Sequence, residues 1–182
     1  RLYETTRIAV LNRAGERSGV LGIAHDITDR KASEQKIEQL AFYDPLTRLP
    51  NRRLMFDRLQ QVLNNRSHLD HQHALVLIDV DDFKTLNDTQ GHSAGDQLLM
   101  DIARRLTHNV RHGDTVARLG GDEFVVIIAD LDGGEQGALQ ARHIANKLHK
   151  ALREPYLLMR DGLDSQGRSH FCTSSLGVLL FT

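Results

Sequence analysis

Apolar and polar positions along the chain alternate in blocks that predict two strands joined by a glycine-rich turn. Residues 124–129 form an apolar, β-branched run, and residues 115–118 form a shorter strand-like stretch before it. The turn between them reads Arg118-Leu119-Gly120-Gly121-Asp122-Glu123-Phe124. Because glycine reaches positive φ without steric cost, this turn is predicted to be the tip of a β-hairpin.

Three further segments repeat apolar residues at helical spacing, and four segments read as strands. The helices are residues 52–64, 93–110 and 138–152. The strands are residues 74–79, 115–118, 124–129 and 171–181. After the first helix the order is strand, helix, strand, strand, helix, strand, which predicts a ferredoxin-like βαββαβ fold of the α+β class. Asn51 is expected to cap the first helix, and Ser93 with Asp96 resembles a capping box for the second.

The first part of the chain follows a different pattern. Residues 5–11 and 18–25 predict a hairpin, and residues 29–42 predict a helix that Thr28 or Asp29 can cap. The apolar positions of this helix form a narrow stripe: Ala32, Ile37, Leu40 and Ala41. Such a stripe favours a seam between two parallel helices, and the alternative is a helix packed on its own domain.

Two acidic clusters follow the ends of predicted strands. Residues 79–82 (Asp-Val-Asp-Asp) come after the buried run, and Asp122 with Glu123 follows the paired glycines. If the hairpin pairs beside the first strand, Asp79 converges with the acids of the turn. Carboxylates without cysteine or histidine suit Mg²⁺, and bare glycines leave room for a bulky ligand. The residues by themselves predict metal-assisted phosphoryl or nucleotidyl transfer.

Composition limits the classes of function. The chain has 182 residues, 40% of them hydrophobic, and a net charge of −1, so it can form a core and is not expected to bind nucleic acid. One cysteine, Cys172, excludes a disulfide framework and fits the cytoplasm. No transmembrane run or signal peptide is recognisable. Because the chain starts at Arg1 without methionine, we expect it to be an excerpt, and membrane anchoring upstream stays open.

Three segments carry motifs whose order and spacing are specific to one family. They are residues 44–52 (Asp-Pro-Leu-Thr-Arg-Leu-Pro-Asn-Arg), residues 79–92 and the turn at residues 120–124 (Gly-Gly-Asp-Glu-Phe). Together they resemble the GGDEF family, the diguanylate cyclase domain, over residues 43–182. The resemblance implies the palm-like fold of nucleotidyl cyclases and polymerases.

A second resemblance concerns the segment before this domain. Residues 26–31 (Asp-Ile-Thr-Asp-Arg-Lys) resemble the exit of PAS sensor domains. The resulting domain organisation is a PAS C-terminal hairpin at residues 1–28, a signalling helix at residues 29–42 and a GGDEF domain at residues 43–182 that is incomplete at its C-terminus. An ordinary hairpin is the alternative for the first segment.

The GGDEF resemblance implies condensation of two GTP molecules to cyclic di-GMP and pyrophosphate across a homodimer. Each 3′-hydroxyl attacks the α-phosphorus of the other nucleotide, with two Mg²⁺ or Mn²⁺ ions per active site. By matching position, Asp79, Asp122 and the Val80 carbonyl hold metal, and Glu123 reaches the second ion. Asp122 or Glu123 also helps to deprotonate the hydroxyl. The alternative is that these acids are solvated turn residues.

The same resemblance assigns residues to nucleotide binding. Asn87 and Asp96 match positions that read the guanine edge, a task that suits an amide beside a carboxylate. Phe83 and Lys84 match a segment that meets the β- and γ-phosphates. The turn glycines that leave room for the nucleotide are Gly120 and Gly121. Asp96 as a helix cap and Asn87 as a turn residue are the alternatives, and Asp96 can serve in both roles.

Two more features bear on regulation and completeness. Arg111 and Asp114 match the RxxD site at which product inhibits the family, although the motif alone is usually a surface pair. Residues 174–178 match the family's last strand, but the helix that follows it, with a lysine and an arginine for the triphosphate, is absent from this sequence. An isolated fragment is therefore expected to bind GTP weakly and can be inactive on its own.

Other interpretations stay open. A regulatory GGDEF module would bind GTP and control an attached cyclic di-GMP phosphodiesterase domain, as the loosely matching residues 152–156 suggest. Residues 79–81 resemble the nucleophile motif of haloacid-dehalogenase phosphatases, which leaves the glycine turn unexplained. A non-enzymatic sensor scaffold is the third class. Zinc binding by His68, Asp70, His71 and His73 in a polar loop at residues 66–73 is a weak alternative, since loop histidines are usually solvated.

Overall fold

The computed structural model describes residues 1–11, 13, 15–64, 71–159 and 168–182. These residues divide into two compact units, Arg1–Ala41 and Phe42–Thr182. Within the described ranges, every helix is too short or too polar to cross a membrane.

The first unit consists of a β-hairpin and most of a helix. Strand β1 (Tyr3–Leu11) pairs antiparallel with β2 (Arg17–Asp26), which confirms the predicted hairpin. Helix α1 (Thr28–Phe42) follows it. The Asp26 carboxylate accepts from the backbone N–H and the hydroxyl of Thr28 at 3.0 and 2.6 Å, and Thr28 and Asp29 lie inside the helix, so the predicted caps are wrong. The assignment of this hairpin to a PAS domain stays a prediction.

The second unit contains the predicted ferredoxin-like core. Its elements are α2 (Arg52–Asn64), β3 (Gln72–Val80), α3 (Phe83–Gln90), α4 (His92–Asn109), β4 (Thr115–Gly120), β5 (Glu123–Leu131), α5 (Gly134–Arg153), β6 (Tyr156–Leu158), β7 (Arg168–His170) and β8 (Ser174–Phe181). The four long strands form one antiparallel sheet in the order β4-β5-β3-β8. This is the βαββαβ topology, so the α+β prediction is confirmed. Asn51 caps α2 as predicted, because its side chain accepts from the Leu54 N–H at 3.1 Å.

Packing on both faces of the sheet fixes its register. The main core, shared with α4 and α5, includes Val76, Ile78, Leu98, Leu106, Phe124 and Leu148. A second cluster joins Met55 of α2 to Ala117, Val125 and Ile127. Because successive strand residues point to opposite faces, a one-residue slip between β3 and β5 would move the residues of each cluster on the slipped strand to the opposite face of the sheet. Packing therefore determines which residues of these two strands lie opposite each other.

Several element boundaries differ from the sequence prediction. Helix α3 is absent from the prediction because its 8 residues are mostly polar and read as a turn. Helix α4 begins at His92 and its N-cap is Gly91, without a side-chain cap, so the capping box of Ser93 and Asp96 is wrong. Helix α5 starts earlier than predicted, within a glycine-rich segment, and β8 starts later. The β6–β7 hairpin escaped prediction because each strand has only 3 residues.

His73 belongs to β3 and not to the predicted polar loop. Its side chain is buried, and its Nδ1 accepts a hydrogen bond from the Asp130 backbone N–H at 3.1 Å. The ring also lies 5.5 Å from the Phe181 ring. Because the Nδ1 atom of His73 already accepts this hydrogen bond, His73 is a poor candidate for the zinc ligand considered from the sequence. His68 and Asp70, two other candidates, lie outside the described residues.

His73 is expected to make the fold less stable at acid pH. Burial lowers the pKa of His73 below its ordinary value, although the Asp130 carboxylate opposes this. A base whose pKa is lower in the folded than in the unfolded protein binds its proton less readily in the folded state. The free energy of unfolding therefore decreases as the pH falls below the unfolded pKa of about 6.5. Because asparagine keeps an acceptor, His73→Asn is expected to flatten the fall in unfolding free energy between about pH 7 and about pH 5. Urea denaturation at both pH values checks this, and an equal fall in both proteins would contradict it.

Candidate active site

The glycine turn is the tip of the β4–β5 hairpin, as predicted. Strand β4 ends at Gly120 and β5 begins at Glu123. Gly120 and Gly121 have φ angles of 145° and 52°, which are conformations that favour glycine. A Cβ atom at either position would meet no atom within 4 Å. The backbone conformation therefore explains the glycines, and the tip is open to an approaching ligand.

Acidic side chains gather at the end of the sheet beside this tip. Asp79 lies opposite Glu123 in the β3–β5 pairing, and Asp122 is the next residue in the turn. Burial raises the pKa of Asp79 above its ordinary value, and the carboxylates of Asp122, Glu123 and Asp81 raise it further. The three side chains predicted to act with metal thus lie at the same end of the sheet, where Asp122 and Glu123 act electrostatically on Asp79. Their mutual repulsion would be relieved by a cation.

Asp81 belongs to the same acidic segment but is occupied elsewhere. Its carboxylate accepts hydrogen bonds from the hydroxyls of Thr173 at 2.6 Å and Ser175 at 2.8 Å. These bonds lower the pKa of Asp81. Its backbone N–H also donates to the Thr173 carbonyl at 3.1 Å. Asp81 therefore joins the end of β3 to the start of β8 and to the residue just before it.

The donor chemistry of this site fits a hard divalent cation. Asp79, Asp122 and Glu123 offer only oxygen, and Val80, whose carbonyl is a predicted ligand, is the last residue of β3. Among the described residues, no group of three or more His, Cys, Asp or Glu side chains is arranged to hold a metal ion. Mg²⁺ does not need three protein side chains, because it commonly takes one or two carboxylates and completes its shell with water and substrate phosphates. The residues present fit a cation that binds together with a nucleotide.

A cavity of about 400 Å³ adjoins the acids. Besides Asp79 and Glu123, its walls come from strands β3, β4, β5 and β8: Leu77, Leu119, Phe124 and Leu176. The volume lies within the range of small-molecule sites. The acids therefore border a space in which a ligand can be held partly out of water.

Helices α3 and α4 carry the residues predicted to bind the nucleotide. Phe83 and Lys84 form the first turn of α3, directly after the end of β3 and its two-residue turn. Lys84 is exposed there, where the N–H groups of a helix terminus favour phosphate. Asn87 lies one turn further along α3, and Asp96 is exposed near the start of α4. The structure places these four side chains on two adjacent helices that follow the acidic end of β3.

Arg118 holds the hairpin tip in place, a role that the sequence did not reveal. Its guanidinium donates to the Gly121 carbonyl through Nε at 3.1 Å and Nη2 at 2.7 Å. Its Nη1 donates to Asp44 Oδ1 at 3.0 Å, and only 11% of the Arg118 side chain is exposed. Because Gly121 directly precedes Asp122, these bonds orient the turn that carries the acids.

Asp44 is the fixed partner of Arg118. Its Oδ1 also accepts from the Thr47 N–H at 2.8 Å and the Thr47 hydroxyl at 2.6 Å. Burial raises the pKa of Asp44, but the hydrogen bonds from Thr47 and Arg118 outweigh it and leave the pKa below its ordinary value. The Arg118 N–H donates to the Pro50 carbonyl at 3.0 Å. The motif at residues 44–52 therefore attaches the start of the domain to β4. This motif is also the feature of the sequence from which a buried partner for Arg118 could have been predicted.

Arg111 and Asp114 form the predicted pair just before β4. Arg111 Nε lies 3.2 Å from Asp114 Oδ1, and the Asp114 side chain is only 2% exposed. The Arg111 guanidinium also donates to the backbone carbonyls of Ala129 and Asp130. The pair borders a cavity of about 800 Å³. The structure therefore brings the two residues together beside a space large enough for a ligand.

Comparison with known proteins identifies the family. The family model described as "Diguanylate cyclase, GGDEF domain" matches residues 41–180. The bifunctional diguanylate cyclase/cyclic di-GMP phosphodiesterase MucR of Pseudomonas aeruginosa is 41% identical over 154 residues, which are 85% of this chain and 21% of that protein. The chain spans less than a third of the length of the curated relatives it matches.

Solved structures agree with the family model. The GGDEF domain of TpbB (YfiN) from Pseudomonas aeruginosa is 38% identical with a TM-score of 0.66, and the match covers 76% of this chain and 75% of that one. The GGDEF domain of DgcB from Caulobacter crescentus, solved in complex with c-di-GMP, is 26% identical with a TM-score of 0.65, over 78% of each chain. With the glycine turn, the acids beside it and the sheet that joins them, these likenesses show that the chain belongs to the GGDEF family of diguanylate cyclase domains.

Proposed function

We propose that the protein condenses two GTP molecules to cyclic di-GMP. In each half of the reaction, a 3′-oxygen bonds to the α-phosphorus of the other nucleotide, pyrophosphate leaves, and the hydroxyl gives up its proton. One observation supports this most: Asp79 lies opposite Glu123, with Asp122 and an open glycine tip beside them. The family model that matches residues 41–180 carries the same activity in its description.

Asp79, Asp122, Glu123 and the Val80 carbonyl are the residues that would hold two Mg²⁺ or Mn²⁺ ions in each active site. When bound, such ions neutralise charge on the attacking and leaving oxygens. Asp122 or Glu123 accepts the proton of the 3′-hydroxyl, since a carboxylate within hydrogen-bond reach can act as a general base. Arg52 places a positive charge beside Glu123, since its Nη2 lies 3.9 Å from Glu123 Oε2 in an exposed pair.

The remaining residues bind and orient GTP. Lys84 and the backbone N–H groups at the start of α3 bind the β- and γ-phosphates. The Asp96 carboxylate accepts from guanine N1–H and the 2-amino group, and the Asn87 amide meets O6 or N3. Gly120 and Gly121 let the nucleotide approach the backbone of the tip. These roles place the base on the helices and the reacting phosphate near the acids.

Two domains must meet for the reaction, because each brings one GTP. We infer that α1 pairs with α1 of a second copy in the cytoplasm, and that a PAS-type sensor hairpin before it passes on its state. Ile37 and Leu40, in the apolar stripe of α1, are 68% and 60% exposed. This exposure leaves the stripe accessible to a second helix. A cysteine at Ile37 is expected to give a disulfide-linked dimer under mild oxidation, and purely monomeric protein would contradict the seam.

Arg111 and Asp114 are proposed to bind the product and arrest the enzyme. An arginine can donate two parallel hydrogen bonds to phosphate or to a guanine edge, and a carboxylate can accept from guanine N–H groups. The cavity of about 800 Å³ beside the pair offers the necessary space. Product binding there would need Arg111 to exchange at least one of its bonds to the carbonyls of Ala129 and Asp130.

A product assay tests the proposed function. Protein expressed from its whole reading frame is incubated with GTP and Mg²⁺, and the products are identified by mass spectrometry. Cyclic di-GMP and pyrophosphate are expected. Tight GTP binding without product would instead support a regulatory module attached to a phosphodiesterase domain, which the similarity to bifunctional MucR favours as second candidate. Absence of GTP binding would contradict both functions.

A further inference from the structure

Gly95 of α4 packs directly against the side chain that is proposed to read the base. Gly95 is buried, and a Cβ atom built on it would overlap Oδ1 of Asn87. The same Cβ would lie 3.0 Å from Asn87 Cγ and 3.2 Å from Phe83 Cε2. Phe83 and Asn87 are four residues apart on α3, so both present the same face of that helix to this glycine. A residue without a side chain is what allows the two helices to come this close.

The packing on Gly95, and not a hydrogen bond, fixes the Asn87 amide. In the described parts of the chain, the Asn87 side chain has no hydrogen-bond partner, and it is half-buried. The Asn87 backbone carbonyl accepts from the Gly91 N–H at 2.9 Å, which joins α3 to the turn before α4. The amide is thus held in position by contact while its polar atoms stay available to a ligand.

The next residue after Gly95 is Asp96, the other group proposed to read guanine. Asp96 is exposed, so its carboxylate is also available. The distance between the Asn87 amide and the Asp96 carboxylate depends on how closely α3 approaches α4, and Gly95 lies at that contact. Two groups that bond to one base edge must keep a set separation, because hydrogen bonds weaken steeply with distance and angle.

We propose that Gly95 is a positioning residue for guanine recognition, acting through Asn87. The inference rests on the proposed function, since it takes Asn87 and Asp96 as the base-reading pair. An added methyl group at Gly95 displaces the flexible end of Asn87 more easily than it displaces either helix backbone. The acids at Asp79 and Asp122 are not touched. The effect therefore falls on the choice of base and not on the chemical step.

Gly95→Ala is expected to lower the preference for GTP over ATP about tenfold, the equivalent of one hydrogen bond. Both nucleotides are titrated into nucleotide-free protein by calorimetry, and kcat with GTP is expected to change less than the affinity. Alanine has the higher helix propensity, so α4 itself should not be weakened. Gly22→Ala, at an exposed strand position where a Cβ meets nothing within 4 Å, is the matched control and should keep the preference.

A double-mutant cycle separates positioning from general packing. If Gly95 acts through Asn87, adding Gly95→Ala to Asn87→Ala should have no further effect on the preference for GTP. A further loss of preference in the double variant, or an unchanged preference in Gly95→Ala, would overturn the inference about Gly95. If the wild type still binds GTP in that case, the proposed cyclase function is not contradicted. Wild-type protein that binds no GTP would overturn the proposed function itself. In nucleotide-free protein, the NMR signal of the Asn87 side-chain amide should shift in Gly95→Ala and not in Gly22→Ala.

Discussion

Asp122→Asn is expected to reduce the rate of cyclic di-GMP formation about a thousandfold, the largest effect of any single change in this chain. Asparagine keeps the shape of the side chain but removes its negative charge and most of its basicity. Asp122 sits beside the open tip, with Asp79 and Glu123 close by. Loss of one carboxylate from this group therefore weakens both cation binding and acceptance of the hydroxyl proton.

The fold of Asp122→Asn should be unchanged, because the side chain is at a turn and is only half-buried. Thermal unfolding is the check, with an expected midpoint equal to or slightly above that of the wild type, since one repelling charge is gone. Asp101→Asn on α4 makes the same chemical change in a surface pair with Arg104 and serves as the matched control. More than a tenth of wild-type activity in Asp122→Asn would contradict the proposed role.

Arg118→Ala is expected to lower both stability and activity. The change removes the donors to Asp44 and to the Gly121 carbonyl, and leaves the Asp44 carboxylate, 17% exposed, without its cation. Breaking this pair should lower the free energy of unfolding by about 2–3 kcal/mol. This is less than the cost for a fully buried pair, because both side chains are partly exposed. Because the turn before Asp122 is released, kcat should fall more than GTP affinity.

The pH dependence of stability should also change in Arg118→Ala. The folded pKa of Asp44 lies below its unfolded value, so its contribution is present above the unfolded pKa and is lost as the pH falls through the folded pKa. Without Arg118, the folded pKa of Asp44 rises toward its unfolded value, so less stability is lost on acidification. Arg118→Lys keeps the charge but not the forked donors, and should recover part of the stability and little of the kcat. Equal kcat in wild type and Arg118→Ala would contradict the positioning role.

The sheet and the acidic site were predictable because strong local signals agree with the fold. Apolar runs identified β3 and β5, and the glycines between strands identified the tip. Once β3 and β5 pair, the positions of Asp79 and Glu123 follow from the register, which packing on both faces fixes. Long, strongly patterned elements and turns with a required backbone conformation are the parts of a fold that a sequence expresses most directly.

The parts that escaped prediction depend on contacts between distant residues. Arg118 reads as an ordinary polar strand residue until Asp44, distant in sequence, lies within reach of it. Asp81 looks equivalent to Asp79 in sequence, and only the approach of Thr173 and Ser175 assigns it a different role. His73 reads as part of a polar loop because its partner, the Asp130 N–H, comes from another strand. Helix α3 is short and polar, so packing against α4 and not its own pattern stabilises it.

Binding of Mn²⁺ tests most directly whether Asp79 and Asp122 share a divalent cation beside the nucleotide. Electron paramagnetic resonance measures bound Mn²⁺ in the presence of a non-reacting GTP analogue, in wild type, Asp79→Asn, Asp122→Asn and the Asp101→Asn control. Bound Mn²⁺ is expected in the wild type and the control, and its loss is expected in both site variants. Equal Mn²⁺ binding in all four proteins would show that these carboxylates hold no common ion and would contradict the catalytic account.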